Sequence, residues 1–272
     1  MLPEKRRSTI MEMLYESKAI KNSDISTCFG VNTLTVRRDL DILQQQGLIR
    51  RVYGGAVLCE DTVSKPSESD KELHKDAFEV LQEEISAIAE EAAKLVREGD
   101  ILFLGNGVIV EEIAKNLRRF SHLTIVTSSL PVVNQIINTP NDVYVLGGKL
   151  HHDEQNISGN HALTMLKEFR ADKAFINGYF SVKNGIMSNF IPAAELGSLM
   201  IQNAELSVLV CRNSEFDQIG LYSVCSLSDI NMIITDEHLT SDQKRSLEEI
   251  VPEVRIAVSS NLKPEDSEVS SV

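Results

Sequence analysis

Residues 32–41 of this 272-residue chain, Asn32-Thr33-Leu34-Thr35-Val36-Arg37-Arg38-Asp39-Leu40-Asp41, set amide, hydroxyl and guanidinium groups among regularly spaced apolar ones. Val36 and Leu40, four apart, share one face of a helix. That leaves Asn32, Thr33, Thr35, Arg37 and Arg38 to present groups that bond phosphate oxygens and base edges. At least one of the two arginines is expected to reach DNA, and the other to pair with Asp39 or Asp41. Arg50, Arg51 and Tyr53 follow on a short run that ends in Gly54-Gly55, suited to lie along a phosphate backbone. This is recognition chemistry rather than catalysis.

Elsewhere the chemistry-bearing residues read as structural. His151-His152-Asp153-Glu154 offers metal-ligand types, but adjacent residues seldom chelate one ion together, so a solvated loop is expected. Ser128-Ser129 lacks a nucleophile elbow and reads as a hydrogen-bonding turn. Gly105-Asn106-Gly107 is only a fragment of a dinucleotide fingerprint and does not imply a nicotinamide. Nothing in the local sequence pairs Glu195 with His161 for acid–base work. Cys28, Cys59, Cys211 and Cys225 form no CxxC pair and no close Cys/His quartet, the pattern of free thiols in a reducing compartment. No metal and no cofactor is expected.

The elements that must hold residues 32–53 read as three short helices and a hairpin. Pro3 suits a first helical turn, and Ile10, Met13 and Leu14 form an apolar stripe. Asn22 or Ser23 can cap a second helix reaching Phe29, which Gly30 ends. Asn32 or Thr33 can cap a third, carrying Leu34, Val36, Leu40 and Leu43 as far as Gly47. Ile25, Phe29, Val31, Val36 and Leu40 are the candidate core beneath the last two. Leu48–Ala56 then reads as strand, glycine turn and return strand. Together these form a winged helix-turn-helix, whose third helix enters the major groove.

Residues 59–75 are polar, with Pro and Ser, and read as a linker. Phe78, Leu81, Ile85, Ile88, Ala92 and Leu95 recur at helical spacing among glutamates, which predicts a solvated helix with one packed face. From Asp100 the chain alternates β-rich runs (101–104, 123–126, 143–146, 173–176, 206–210, 232–234, 254–258) with helical patterns (111–117, 130–137, 162–169, 194–203, 241–250). That alternation predicts an α/β domain whose mostly parallel sheet is covered on both faces. The expected organisation is a DNA-binding head at 1–58, a linker at 59–75, an α/β body at 76–262 and a frayed polar tail at 263–272.

Charge separates head from body. Residues 1–58 hold nine bases and six acids, a net +3, while the remaining 18 bases and 34 acids give −16 of the overall −13. A basic head on an acidic body fits a nucleic-acid partner for the head alone. No apolar run approaches the roughly 20 residues that span a bilayer, and no secretory core follows Lys5-Arg6-Arg7, so a cytoplasmic protein with no membrane partner is expected.

Leu34-Thr35-Val36-Arg37-Arg38-Asp39-Leu40, followed by Gly47-Leu48-Ile49-Arg50-Arg51-Val52-Tyr53-Gly54-Gly55-Ala56, resembles the recognition helix and wing of the DeoR family of bacterial transcription regulators. The resemblance runs to about residue 258 through Gly99-Asp100, Thr127-Ser128-Ser129-Leu130-Pro131, Leu146-Gly147-Gly148-Lys149-Leu150, Asp172–Ile176 and Ile234-Thr235-Asp236. It implies a sensor domain similar in fold to ribose phosphate isomerases, glucosamine phosphate deaminases and CoA transferases. A phosphorylated sugar or related metabolite would bind at the carboxyl ends of its strands. The residues so implied are Asn106, Gly107, Thr127, Ser128, Ser129, Gly147, Gly148, Lys149, Glu195 and Arg212.

Three loops depart from the family pattern. The family's Asp-Ala-Gly-Ser-Thr-Thr stands here as Gly105-Asn106-Gly107-Val108-Ile109-Val110, which keeps the turn glycine and loses the hydroxyls. Its Glu-Ala-Glu followed by a base is Ala193-Ala194-Glu195-Leu196-Gly197. Its Asp-Ser-Ser-Lys-Phe is Arg212-Asn213-Ser214-Glu215-Phe216, a reversal of charge at the lysine, for which Arg212 is a possible substitute. Either the effector is not the usual sugar phosphate or none is sensed. The expectation is a homo-oligomeric repressor of carbohydrate or related genes that binds double-stranded operator DNA and is not an enzyme. The alternatives are a sugar-phosphate-isomerase-like enzyme and an effector-independent regulator.

Overall fold

The computed structural model describes residues 3–17, 19–29, 31, 33–45, 48–52, 55–58, 68–152 and 154–259. The chain divides into two compact units, Met1–Glu79 and Val80–Val272.

In the first unit α1 (Pro3–Ser17), α2 (Asn22–Phe29) and α3 (Thr33–Gln45) precede a hairpin of β2 (Ile49–Val52) and β3 (Gly55–Leu58). A strand not expected from the sequence, β1 (Ala19–Lys21), pairs antiparallel with β3. Three residues carry too little alternation to be read as a strand. The approach of β1 explains Gly55, since a Cβ there would lie 2.1 Å from the Ile20 carbonyl oxygen. Ile10, Leu14, Ile25, Val36, Leu40, Leu43 and Ile49 form the core, with Phe29 and Val31 packed at its edge.

The helix α4 (Glu68–Ala93) begins within the stretch expected as linker, so residues 68–75 are helical. Its Ile85, Ile88, Ala89 and Ala92 pack into the second unit. That unit is built on β4 (Ile101–Leu104), β5 (Thr124–Thr127), β6 (Asp142–Val145), β9 (Ala171–Ile176), β12 (Ala204–Val210), β14 (Met232–Asp236) and β15 (Glu253–Ala257), a parallel sheet ordered β15-β14-β12-β9-β4-β5-β6. Alternation assigns its two faces. Leu102, Leu104 and Phe175 pack under α5 (Val108–Asn116), α6 (Leu130–Ile136) and α4. Phe103, Ala174 and Ile176 pack under α7 (Asn160–Lys167), α8 (Ile191–Gln202) and α9 (Ser241–Glu248).

Two small antiparallel additions sit beyond the strand ends: the hairpin β7 (Lys149–His151) with β8 (Asn156–Ser158), and the sheet β10 (Tyr179–Ser181), β11 (Gly185–Ser188) and β13 (Tyr222–Cys225). No described helix is long and apolar enough to cross a membrane.

Candidate nucleic-acid interface and ligand pocket

On α3, Val36, Leu40 and Leu43 are buried while Arg38, Asp41 and Gln44 are exposed, so one face is core and the opposite face open. Thr35 is half-buried. Thr33 opens the helix, and Arg50 and Arg51 lie on β2 opposite Val57 and Ala56. Asn32 and Tyr53 lie outside the described residues, as do the side chains of Thr33, Arg37, Arg50 and Arg51.

Of the two acids expected as arginine partners, Asp39 is buried against α1, accepting from Arg6 Nε at 2.5 Å and Nη2 at 3.3 Å, with Arg7 Nη1 at 3.5 Å. The reason is helical geometry. Residues one or two apart do not face each other, whereas Val36, Asp39, Leu40 and Leu43 fall on one stripe. The pair ties α1 to the recognition helix.

In the body, chain order reverses between β4 and β9, and a crevice opens at their carboxyl ends, the expected place for a ligand in an open α/β sheet. Gly105 and Asn106 after β4, Asn177 after β9, Ser128, Asn156 and Ser188 supply its polar lining. Ile176, Leu196, Met200 and Val224 supply apolar wall. The free volume is only about 20 Å³, close to that of one or two waters. The Asn156 carbonyl Oδ1 is sealed from solvent without a hydrogen-bond partner. Gly107, at φ +114°, turns the chain into α5, and a Cβ there would meet Asn177 Oδ1 at 3.1 Å.

Of the residues implied by resemblance, Asn106 and Ser128 line this crevice and Gly107 abuts it. Thr127, Ser128 and Ser129 form the expected turn: Thr127 Oγ1 accepts from the Ser129 N–H and Ser129 caps α6. Gly148 is pressed to the Ser158 carbonyl, where a Cβ would come within 2.3 Å. Gly147 and Lys149 are exposed. Glu195 is exposed on α8, outside the residues that line this crevice, and His161 is exposed likewise. Ile109 and Val110 also differ from expectation. Both are fully buried in the core, so of the three lost hydroxyl positions only Val108, 62% exposed, faces outward. His151 is not simply solvated, since its Nε2 lies 2.7 Å from Ser158 Oγ and its ring packs edge-on against Phe190. Asn156, Asn177 and Ser188 were not expected from the sequence.

The charge reversal has a structural use. Glu215 ends a 3-10 turn, accepts the Arg212 N–H at 2.9 Å and receives Asn177 Nδ2 at 3.3 Å. Burial raises its pKa, and the hydrogen bond from the Arg212 backbone draws it partly back. Arg212 is not free to replace the missing lysine: its guanidinium is 3.9 Å from Glu84, which also meets His238 Nε2 at 3.1 Å. Burial, then Asp236, raises the Glu84 pKa. Burial likewise lifts the Cys211 thiol well above its usual range, which keeps it neutral and unreactive. Cys28, Cys211 and Cys225 are free; Cys59 lies outside the described residues. No group of His, Cys, Asp and Glu among the described residues is arranged to hold a metal.

A winged helix-turn-helix followed by a parallel α/β unit with a crevice at its switch point defines a class of proteins, the DNA-binding regulators with a small-molecule sensor. Family comparison agrees for both units. Residues 6–62 match the DeoR-like helix-turn-helix domain and residues 81–237 the DeoR C terminal sensor domain. The chain belongs to the DeoR family of transcription regulators. It is 28% identical to the lactose phosphotransferase system repressor of Staphylococcus epidermidis (strain RP62A), over 90% of this chain and 96% of that protein. It is 26% identical to the HTH-type transcriptional regulator GolR of Listeria innocua, over 94% and 100%. A ribose 5-phosphate isomerase A from Neisseria gonorrhoeae aligns with 51% of this chain and 55% of its own at 14% identity and a TM-score of 0.36.

Proposed function

We propose that this DeoR-family regulator represses carbohydrate or related metabolic genes in the cytoplasm, binding operator DNA through α3 and the β2–β3 wing as a homo-oligomer. The observation that carries the reading is the occurrence of both family domains in order on one chain, with α3 displaying its polar face. A relative aligned over nearly its whole length is named as the repressor of a lactose phosphotransferase system. The crevice between β4 and β9 is the effector site, and effector binding shifts the population of operator-competent heads. An enzyme of the isomerase type is disfavoured by the solvent-facing Glu195 and by the commitment of Glu215, Asp236 and Arg212 to local bonds.

The test is binding of the full chain to DNA from upstream of its own and adjacent genes, at stated salt. Saturable binding to one fragment over random DNA, and occlusion of a promoter there, supports the reading. Equal binding to all fragments contradicts it.

A further inference from the structure

The parallel sheet of the second unit has two edges, and they are built differently. At β15, Glu253 and Arg255 pair at 2.6 Å, and Arg255 reaches Glu91 of α4 at 3.4 Å. Charges of this kind keep an edge from recruiting another strand. At β6 there is no Lys, Arg or Pro, and the register against β5 runs without a bulge. Its one charge, Asp142, stands at the start of the strand. The Asp142 N–H donates to Leu123 O and the Leu146 N–H to Thr127 O, so the even-numbered residues bond β5. The N–H and C=O groups of Val143 and Val145 point the other way, and no described residue bonds them.

Apolar side chains flank this open edge on both faces. On one, the Tyr144 ring, 44% exposed, packs edge-on against Phe169 with centroids 5.1 Å apart. On the other stands Val145, 36% exposed, on the same face as Val143 and α6. Gln135 of α6 bonds Glu111 of α5 at 3.0 Å, so that side of α6 faces α5. Residues two positions either side of Gln135 lie about 200° round the helix. They are Val133 and Ile137, which therefore face away from α5 and toward the β6 edge. Ile137 is 64% exposed.

Resting on the homo-oligomeric reading, we propose that a second copy of this chain docks at the β6 edge. Its own β6 lies antiparallel to the first about a two-fold axis at Tyr144, so that one sheet runs through both bodies. The edge is complementary to itself. With Tyr144 opposite Tyr144, Val143 of each copy stands opposite Val145 of the other and exchanges both hydrogen bonds with it. That satisfies every outward backbone group of the two valines. The two Asp142 residues fall at opposite ends of the ladder, their Cα atoms about 14 Å apart, so these like charges do not meet. A four-residue strand alone falls short of the about 800 Å² per partner of a stable interface. Val133 and Ile137 on one face of the sheet, and Phe169 on the other, extend the contact.

The experiment tests register and assembly in the full chain. Tyr144→Cys sets two thiols at a non-hydrogen-bonded pair with Cα atoms about 4.5 Å apart, within disulfide reach. Mild oxidation should convert most of this variant to a covalent dimer. Asp142→Cys, about 14 Å from its counterpart, and the unsubstituted chain should give little. In sedimentation at micromolar concentration, Ile137→Lys/Val145→Lys should halve the assembly, dimer to monomer or tetramer to dimer. Its far-ultraviolet circular dichroism should stay that of the folded chain. An assembly of wild-type size in the folded lysine variant overturns the proposal and leaves the oligomer to another surface. So does cross-linking of Tyr144→Cys no greater than that of Asp142→Cys. A wild-type chain that sediments as a monomer overturns the homo-oligomeric reading itself and this proposal with it, leaving the edge to a strand of some other protein.

Discussion

Asp39 shows how one residue in the recognition segment can serve the fold instead of the ligand. Its sequence neighbours are arginines, yet its partner is Arg6, thirty-three residues earlier and almost fully buried with it. Breaking a buried pair strands a charge and costs about 3–5 kcal/mol. Asp39→Ala should therefore lower the thermal midpoint of the head sharply. A midpoint unchanged from wild type would show that the pair contributes nothing. Glu215 makes the same point in the body. Restoring the family's lysine by Glu215→Lys should not restore phosphate binding, because it removes the acceptor for the Arg212 N–H and costs about 1–3 kcal/mol. Gain of phosphate affinity without loss of stability would refute this. Titration supplies a second check. The Glu215 pKa is raised in the folded chain from 4.5, so its ionised form penalises folding above the raised value, and the penalty fades as pH falls toward 4.5. Relative to Glu215→Gln, the wild type should thus gain stability as pH falls through that window. A constant difference between the two across that range would contradict it.

At the scale of elements, the seven strands of the parallel sheet were legible because strands buried on both faces read as apolar runs between helical patterns. The small sheet of β10, β11 and β13 and the β7–β8 hairpin were not. They are three or four residues long, too short to show a period. The crevice suffered for this, since Asn156 sits on β8 and Ser188 on β11, and Asn177 on the loop before β10. These lone polar residues, far apart in sequence, converge only through topology. Conversely, residues 108–110 were visible as a departure but misjudged, because Ile109 and Val110 begin the buried stripe of α5 rather than its ligand-facing turn. In the head, β1 escaped notice although Gly55 exists to admit it. Gly55→Ala should force β3 from β1, destabilise the wing by about 1–3 kcal/mol and weaken operator binding. Wild-type affinity and stability in that variant would show that the strands can separate freely.

For the whole molecule, the charge division between a +3 head and a −16 remainder leaves a single head to attract DNA weakly against an acidic body. Pairing heads on spaced half-sites compensates, since linked binding events raise the effective concentration of the second. Full-length protein at micromolar concentration should accordingly sediment as a dimer or larger; a monomer would contradict the homo-oligomeric reading. Linkage adds a reciprocal requirement. If an effector lowers operator affinity, operator DNA must lower effector affinity by the same factor. The central claim is that α3 and its double arginine read the operator. Its most direct measurement is the affinity of wild type and of Arg37→Ala/Arg38→Ala for the same upstream fragment at fixed salt. Each good base contact is worth about 1–3 kcal/mol, and the phosphate contacts add to it. The folded double variant should lose specific binding by about a hundredfold or more. Near wild-type affinity in that folded variant would contradict the account.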